Sequence, residues 1–353
     1  MTAQDLKTLW ARVARATVSW QFVVPALAAV LAINWMASTS TSTMMTEIMI
    51  MALFASSLNL LMSFGHMVSF GHAAYFGLGA YGFTLAVVRG GVPPELALAI
   101  GPLAAALGGL VFGALCVRLT QIYFAMLTLA CAQITYTVLF QWYDFTGGDT
   151  GITGFMIPRF GLSEKGYATA VLAVVTLCLL ALWGIVKSPL GLSIRAVGQD
   201  RYRAEALGLG ARRVQLVAFV IAAFFAGVAG TLYSVLHGAA FPDYAGLGIT
   251  LDGLIMVVIG GLNSFAGGIW GGIIYELLAT FVSKVIHEWE LVLGLILLAI
   301  CLVAPAGFAG VSARLRAMLG GSADAADPLR PPHPQGLWCL HRAEGHLLRH
   351  PQG

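Results

Sequence analysis

Apolar runs of membrane-crossing length alternate with short polar stretches along most of the chain. A transmembrane helix needs roughly 20 mainly apolar residues. Runs of that kind fall at about 20–37, 44–62, 67–88, 96–117, 122–141, 168–186, 214–236, 249–262, 267–286 and 291–309. The eighth is short for a full crossing. The third is crowded with glycine, which predicts a broken or re-entrant segment. Irregular backbone at membrane depth is tolerated only where protein or a water-filled cavity surrounds it. The pattern predicts an all-α polytopic membrane protein of about eight to ten transmembrane helices, some short, broken or re-entrant.

Composition narrows the class. Of 353 residues, 59% are hydrophobic and 10% are charged, against about 45–50% and 25% in a soluble domain. A water-soluble enzyme is excluded, as is a disordered or collagen-like chain. The formal charge of +3 is small and scattered, unlike the concentrated basic face of a nucleic-acid binder. Cys116, Cys131, Cys178 and Cys301 each sit in an apolar run, Cys339 lies in the tail, and no Cys/His spacing suits zinc. The basic Lys7, Arg12 and Arg15 precede the first apolar run. Because further spans follow at once, this run reads as a membrane helix rather than a cleaved signal.

The basic residues set a direction. Lys187, Arg195, Arg201, Arg203, Arg212 and Arg213 fall in the longest polar stretch between strong spans. The positive-inside rule places that stretch in the cytoplasm. Ten spans put it on the same side as Lys7/Arg12/Arg15 and Arg314/Arg316, and leave Glu95, Asp144, Asp149, Glu164, Asp243, Glu288 and Glu290 outside. The expected organisation is a cytoplasmic N-terminal segment (1–19), a permease domain (20–311) with a cytoplasmic coupling loop (187–213), and a cytoplasmic tail (312–353). The tail's prolines and scattered histidines, among them His333, His341, His346 and His350, suit disorder.

Four constellations carry candidate chemistry. The first runs from Asn59 through Gly65, Gly71, His72, Tyr75, Gly77, Gly79 and Gly82. Bare backbone there lets helices approach closely or lets the chain break inside a cavity. The second holds Thr128, Gln133 and Thr135 within a span, then a turn-rich Thr146–Gly154 run. Such uncharged polar groups can hydrogen-bond between helices for about 0.6 kcal/mol, or can face a polar permeant. The third follows Ser188-Pro189: Arg203, Ala204, Glu205, Ala206 and Leu207 favour a short helix that Gly208 and Gly210 stop. A rigid charged stub between two spans can dock into a soluble partner, or can simply set topology. The fourth places Gly260, Gly261, Gly267, Gly268, Gly271 and Gly272 around a helix break, with Asp252 and Glu276 close to it. Ionisable groups within spans, Glu47 included, are functional suspects because burying them is costly. Structural or interfacial placement near span ends is the favoured account of them over an ion relay.

Absent motifs also constrain function. No GxxxxGK[ST] loop is present, so the chain lacks a P-loop nucleotide site. HExxH, GxSxG and kinase sets are likewise missing. Energy for uphill transport would have to come from another subunit.

Taken in this order, LNLL with GHAAYFGLGAYG, IYFAMLTLA with TGGDTGITG, SPLGLSIRA with RAEALG, and MVVIGGLNSFAGGIWG resemble the permeases of branched-chain amino-acid ABC importers, in the LivM-like branch. The resemblance covers roughly residues 44–311; the tail departs from it in composition. It implies an ABC-importer permease of the bacterial inner membrane, and the basic clusters put both termini in the cytoplasm. Partners would be a homologous second permease, two ATPase subunits carrying ATP and Mg²⁺, and a periplasmic binding protein. The chain itself would be no enzyme and hold no cofactor. The family's coupling segment maps onto Arg203, Ala204, Glu205, Ala206, Leu207 and Gly208. The candidate translocation path comprises Asn59, Gly71, His72, Tyr75, Gly77, Thr128, Gln133, Gly260 and Gly261. Cargo could instead be urea, amides, aromatic acids or sugars. An ion-coupled secondary transporter using Asp252, Glu276 and Glu47 is the rival of a different class.

Overall fold

A computed structural model describes residues 39–119, 121–154, 164–262, 265–285, 291–292 and 294–295. The expected N-terminal segment, the first span, the tail, and most of the 291–309 span lie outside the described residues. Asn263 and Ser264, His287, Glu288 and Glu290 do so as well.

Helix α1 (Thr39–Asn59) continues into a π-helical turn, Leu60–Phe64. A non-helical stretch follows to His72, and then α2 (Ala73–Val88). Next come α3 (Pro94–Cys116), α4 (Gln121–Gln141), the short α5 (Tyr143–Thr146), strand β1 (Ile152–Thr153), α6 (Glu164–Lys187), α7 (Pro189–Gln199), α8 (Arg201–Ala206) and α9 (Ala211–His237). Strand β2 (Ala239–Ala240), α10 (Leu247–Gly260) and α11 (Phe265–Val285) complete the described chain. The only sheet among the described residues is the antiparallel β1–β2 pair, with Ile152 opposite Ala240.

Among the described residues six helices are long and apolar enough to cross a membrane, and α2 and α10 are shorter apolar helices. This is the all-α polytopic architecture that the apolar runs predict. The third run is broken, as its glycines suggest: its first part is non-helical and only Ala73–Val88 is helical. His66, the one non-glycine with positive φ among the described residues, stands at the break with φ of 49°. Such a φ is uncommon outside glycine, asparagine, aspartate and histidine.

The most deeply buried spans are α1 and α9. Without a hydrophobic driving force between helices in lipid, close packing of small residues holds them together. A Cβ on Gly230 of α9 would overlap the Phe76 carbonyl oxygen of α2, so these backbones touch. The next residue, Thr231, donates its hydroxyl to the Gly79 carbonyl at 3.0 Å. Aromatic side chains fill the wider gaps in edge-to-face pairs, including Tyr75–Phe219 at 5.5 Å and Phe54–Phe76 at 5.2 Å. That geometry suits the ring quadrupoles.

Helices α10 and α11 form a tight hairpin. Cβ atoms on Gly260 and Gly271 would overlap the Gly267 and Met256 carbonyl oxygens respectively. Gly261, at φ of 99°, makes the turn. Asp252 and Glu276 are not beside this break, as the sequence suggested. Asp252 is bonded by the Tyr275 hydroxyl. That pair stands about 12 Å along α10 from Gly260, at 1.5 Å per residue.

Candidate coupling surface and translocation clefts

Seven of the ten described lysines and arginines gather at one end of the helices. Arg118 follows α3, Lys187 ends α6, Arg195 lies on α7, Arg201 and Arg203 on α8, and Arg212 and Arg213 begin α9. Arg118, Arg201, Arg212 and Arg213 line one cleft of about 1600 Å³. The other end carries Glu47, Asp144, Asp149, Asp243 and His237, with Arg89, Lys165 and Lys284 as its basic residues.

Two helices, not one, build the loop at the basic end. Sequence reading missed α7, although Ser188-Pro189 is a start signal: serine caps and proline fills the first helical position. The Ser188 hydroxyl accepts from the Gly191 N–H at 3.4 Å. Asp200 then caps α8, its carboxylate accepting from the N–H groups of Tyr202 at 3.0 Å and Arg203 at 3.1 Å. It also pairs with the Arg203 guanidinium at 2.9 Å, while Arg201 pairs with Glu205 at 3.3 Å. Gly208, at φ of 85°, closes α8. The Gly208 and Leu209 N–H groups donate back to Glu205 and Ala204 carbonyls, both at 3.0 Å, in the Schellman arrangement.

These caps fix what the stub presents. Ala204, 2% exposed, packs with Val197, Leu209, Ala211 and Val214. Tyr202 and Leu207 project outward, 85% and 81% exposed. Arg203, Glu205, Ala206 and Gly208 are exposed as well. The six residues expected to couple are thus together on one protrusion, with Ala204 as its root.

The loop grips the membrane core through α7. A Cβ on Gly198 would come within 2.8 Å of the Phe64 carbonyl oxygen, 2.9 Å of the His66 ring and 3.0 Å of the Gly65 carbonyl carbon. The Arg195 guanidinium lies over the Phe64 ring, 4.5 Å from its centroid. Burial there lowers the pKa of Arg195 from its ordinary value. Helix α7 therefore rests on the π turn and on the first residues of the break.

The residues expected along the path divide. Gly71 meets α4 so closely that a Cβ would overlap the Thr128 carbonyl oxygen. The Thr128 hydroxyl donates to the Ala125 carbonyl at 2.8 Å and accepts from the Phe70 N–H at 3.2 Å. His72 is buried between Phe54 and Tyr75. The Ser57 hydroxyl proton goes to the Phe54 carbonyl at 2.7 Å, so the imidazole Nε2–H donates to Ser57 at 2.9 Å. His72 Nδ1 is left without a partner. Gly77 abuts Ala245. Asn59 donates to the Phe265 carbonyl at 3.4 Å and accepts from Ser63. Gly260 and Gly261 belong to the hairpin. Of the nine, Gln133 alone lines either cleft: a second one, about 440 Å³, at the far end, with Tyr136, Asp243, Leu247, Ile249 and Asp252.

The suspect carboxylates draw together near that end. Glu47 pairs with His237 at 3.5 Å and accepts from the Tyr233 hydroxyl at 3.3 Å. Glu276 follows Tyr275, whose hydroxyl bonds Asp252. Among the described residues no group of three or more His, Cys, Asp or Glu could hold a metal ion.

Comparison with known proteins agrees with the architecture. The family model for the permease component of branched-chain amino-acid transport systems matches residues 40–302. The high-affinity branched-chain amino-acid permease LivM of Escherichia coli is 29% identical over 264 residues, 67% of this chain and 62% of LivM. LivH from the same organism is 33% identical over 145 residues, 40% of this chain and 47% of LivH. The autoinducer 2 import permease LsrC of Enterobacter sp. is 30% identical over 174 residues, 48% of each chain. This chain thus covers less than two thirds of the length of each of these relatives. No solved structure gives a significant match. A polytopic helical body whose loops, breaks and glycine crossings fall within the matched stretch belongs to the family of permease components of branched-chain amino-acid transport systems.

Proposed function

We propose that the chain is one permease of an ATP-driven importer of the bacterial inner membrane. It moves branched-chain or related hydrophobic amino acids inward by alternating access. A second, homologous permease completes the membrane unit. Two ATPase subunits carry ATP and Mg²⁺ and grip the α8 stub from the cytoplasm, and a periplasmic binding protein delivers cargo to the opposite end. The positive-inside rule orients the basic end toward the cytoplasm, and both termini follow it.

The observation that carries this reading is the exposed Tyr202–Leu207 protrusion on a capped, rooted stub. Aromatic and aliphatic side chains this bare, ringed by charge, suit a protein groove. Motion of the stub reaches the membrane through Ala204 into α9, and through Gly198 into the π turn. A difference in how the ATPases hold the stub in their two states then biases the permease between inward- and outward-facing forms.

The cleft at the other end sets Asp243 and Asp252 beside Leu247 and Ile249. This mixed wall suits a small solute with an ammonium group and an apolar side chain. Uptake competition between leucine and urea, amides, aromatic acids or sugars separates the cargo classes.

The test substitutes Leu207→Asp in the reconstituted complex. ATP hydrolysis by the partner subunits should persist while uptake falls at least tenfold, a loss of about 1.4 kcal/mol in coupling. Undiminished uptake would overturn the reading. Ion-coupled transport by the chain alone draws support from Glu47 paired with His237 and from Asp252 in the far-end cleft. Uptake into liposomes by the single chain, driven by a proton gradient without ATP, would establish it.

A further inference from the structure

The cytoplasmic-end cleft and the far-end cleft share a helix. Ile122, Met126 and Leu129 line the first, and Gln133 and Tyr136 line the second. Steps of four, three, four and three residues place all five on one stripe of α4. From Ile122 to Tyr136 the stripe runs about 21 Å at 1.5 Å per residue, most of a hydrocarbon core about 30 Å thick. The clefts approach each other to a single turn, between Leu129 and Gln133, about 6 Å along the axis.

The stripe's exposure separates two explanations. Ile122 and Met126, 70% and 65% exposed, would be content in lipid. Gln133 is exposed too and sits one turn or less from the middle of α4. An amide there that faces hydrocarbon has no water to bond, and polar groups at that depth face a bundle interior or a cavity. The reverse face of the same turn is held firmly. Gly71 meets the Thr128 carbonyl and lies so that its Cβ would stand 3.2 Å from that of Ala132. The Phe70 N–H bonds Thr128. This clamp is the end of the non-helical stretch whose beginning, Gly65 and His66, rests on Gly198 of α7.

We propose that α4 forms one wall of the substrate path, and that its Leu129–Gln133 turn is the barrier separating the two clefts, shifted by the Gly65–Gly71 stretch when α7 moves. This rests on the transport reading above and adds the location of its path and gate. The second permease closes the open side of both clefts.

Sided thiol labelling tests it. Single cysteines are placed at Met126, Leu129, Gln133, Tyr136 and Ile134 in a background without native cysteines. Ile134 lies off the stripe. Complexes in proteoliposomes meet a charged, membrane-impermeant thiol reagent from either side. Without nucleotide, Met126→Cys and Leu129→Cys should react from the cytoplasmic side and Gln133→Cys and Tyr136→Cys from the other. Each should prefer its side about tenfold or more, and the preference at Leu129 or Gln133 should reverse when the ATPases are trapped with vanadate. Ile134→Cys should stay unreactive. If Leu129→Cys fails to assemble, Met126→Cys reports the same side. Equal labelling of Ile134 and Gln133, or no labelling of the stripe from either side in a complex that still imports, overturns the proposal. Sided labelling without any response to ATP would leave the wall standing and count against the ATP-driven reading and the moving gate.

Discussion

Gly198→Ala isolates the contact through which the α7–α8 loop reaches the membrane core. Two opposing effects act. Alanine favours helix over glycine by about 1 kcal/mol at an interior position, and less in the last turn of α7, where Gly198 lies. Against this, the new Cβ would stand 2.8 Å from the Phe64 oxygen and 3.0 Å from the Gly65 carbonyl carbon. Carbon contacts are comfortable at about 3.5–4.0 Å, so α7 and the π turn must part by about half an ångström. Both atoms are backbone and cannot rotate away. Overpacking of this kind costs about 1–3 kcal/mol, more than the helix gain returns. The docked loop should therefore lose about 1–2 kcal/mol, a factor of 5–30 in its population. Amide exchange of Leu60–Phe70 in the purified chain should quicken by a similar factor, and uptake per ATP in the full complex should fall with it. Gly198→Val should exceed alanine in both measurements. A rise in thermal stability with unchanged exchange and unchanged coupling would mean that only helix propensity matters there, and would refute the idea that α7 bears on the break.

Two further outcomes follow from other contacts. Asp200→Ala removes the acceptor for the Tyr202 and Arg203 N–H groups; losing such a cap costs about 1 kcal/mol, so proteolysis within 200–208 should speed several-fold while the melting of the membrane helices stays put. Gly271→Ala forces a Cβ into the Met256 carbonyl oxygen, and the α10–α11 hairpin has no room to yield; folded protein recovered in detergent should drop sharply, whereas Gly248→Ala, where a Cβ meets nothing within 4 Å, should be recovered at the parent level.

Much of the fold is legible from chain pattern because a bilayer imposes one simple demand, about 20 apolar residues per crossing. The run at 122–141 became α4 (Gln121–Gln141), and the run at 214–236 became α9 (Ala211–His237). The broken third span was legible from its glycines, of which Gly65 and Gly71 fall in the break while Gly77, Gly79 and Gly82 stay helical in α2. What a local pattern does not carry is which neighbour a residue meets. Thr128 and Gln133 look alike in sequence as polar groups within one span. Five residues are one and two-fifths turns, so the two point to different sides of α4: Thr128 inward to Phe70, Gln133 to the far-end cleft. Asp252 was placed beside the hairpin break by proximity along the chain, yet its partner is Tyr275 on the returning helix, set by how α10 and α11 lie together. Gly198 is the sharpest case. Locally it reads as a helix breaker near the end of α7, like Gly208 after α8. Gly208 does take that part, with φ of 85° and nothing within 4 Å of a Cβ, whereas Gly198 is helical and wedged beneath Phe64. Both would tempt an alanine scan to the same conclusion. Only at Gly198 does the cost come from a distant backbone, and there the loop bears directly on the break.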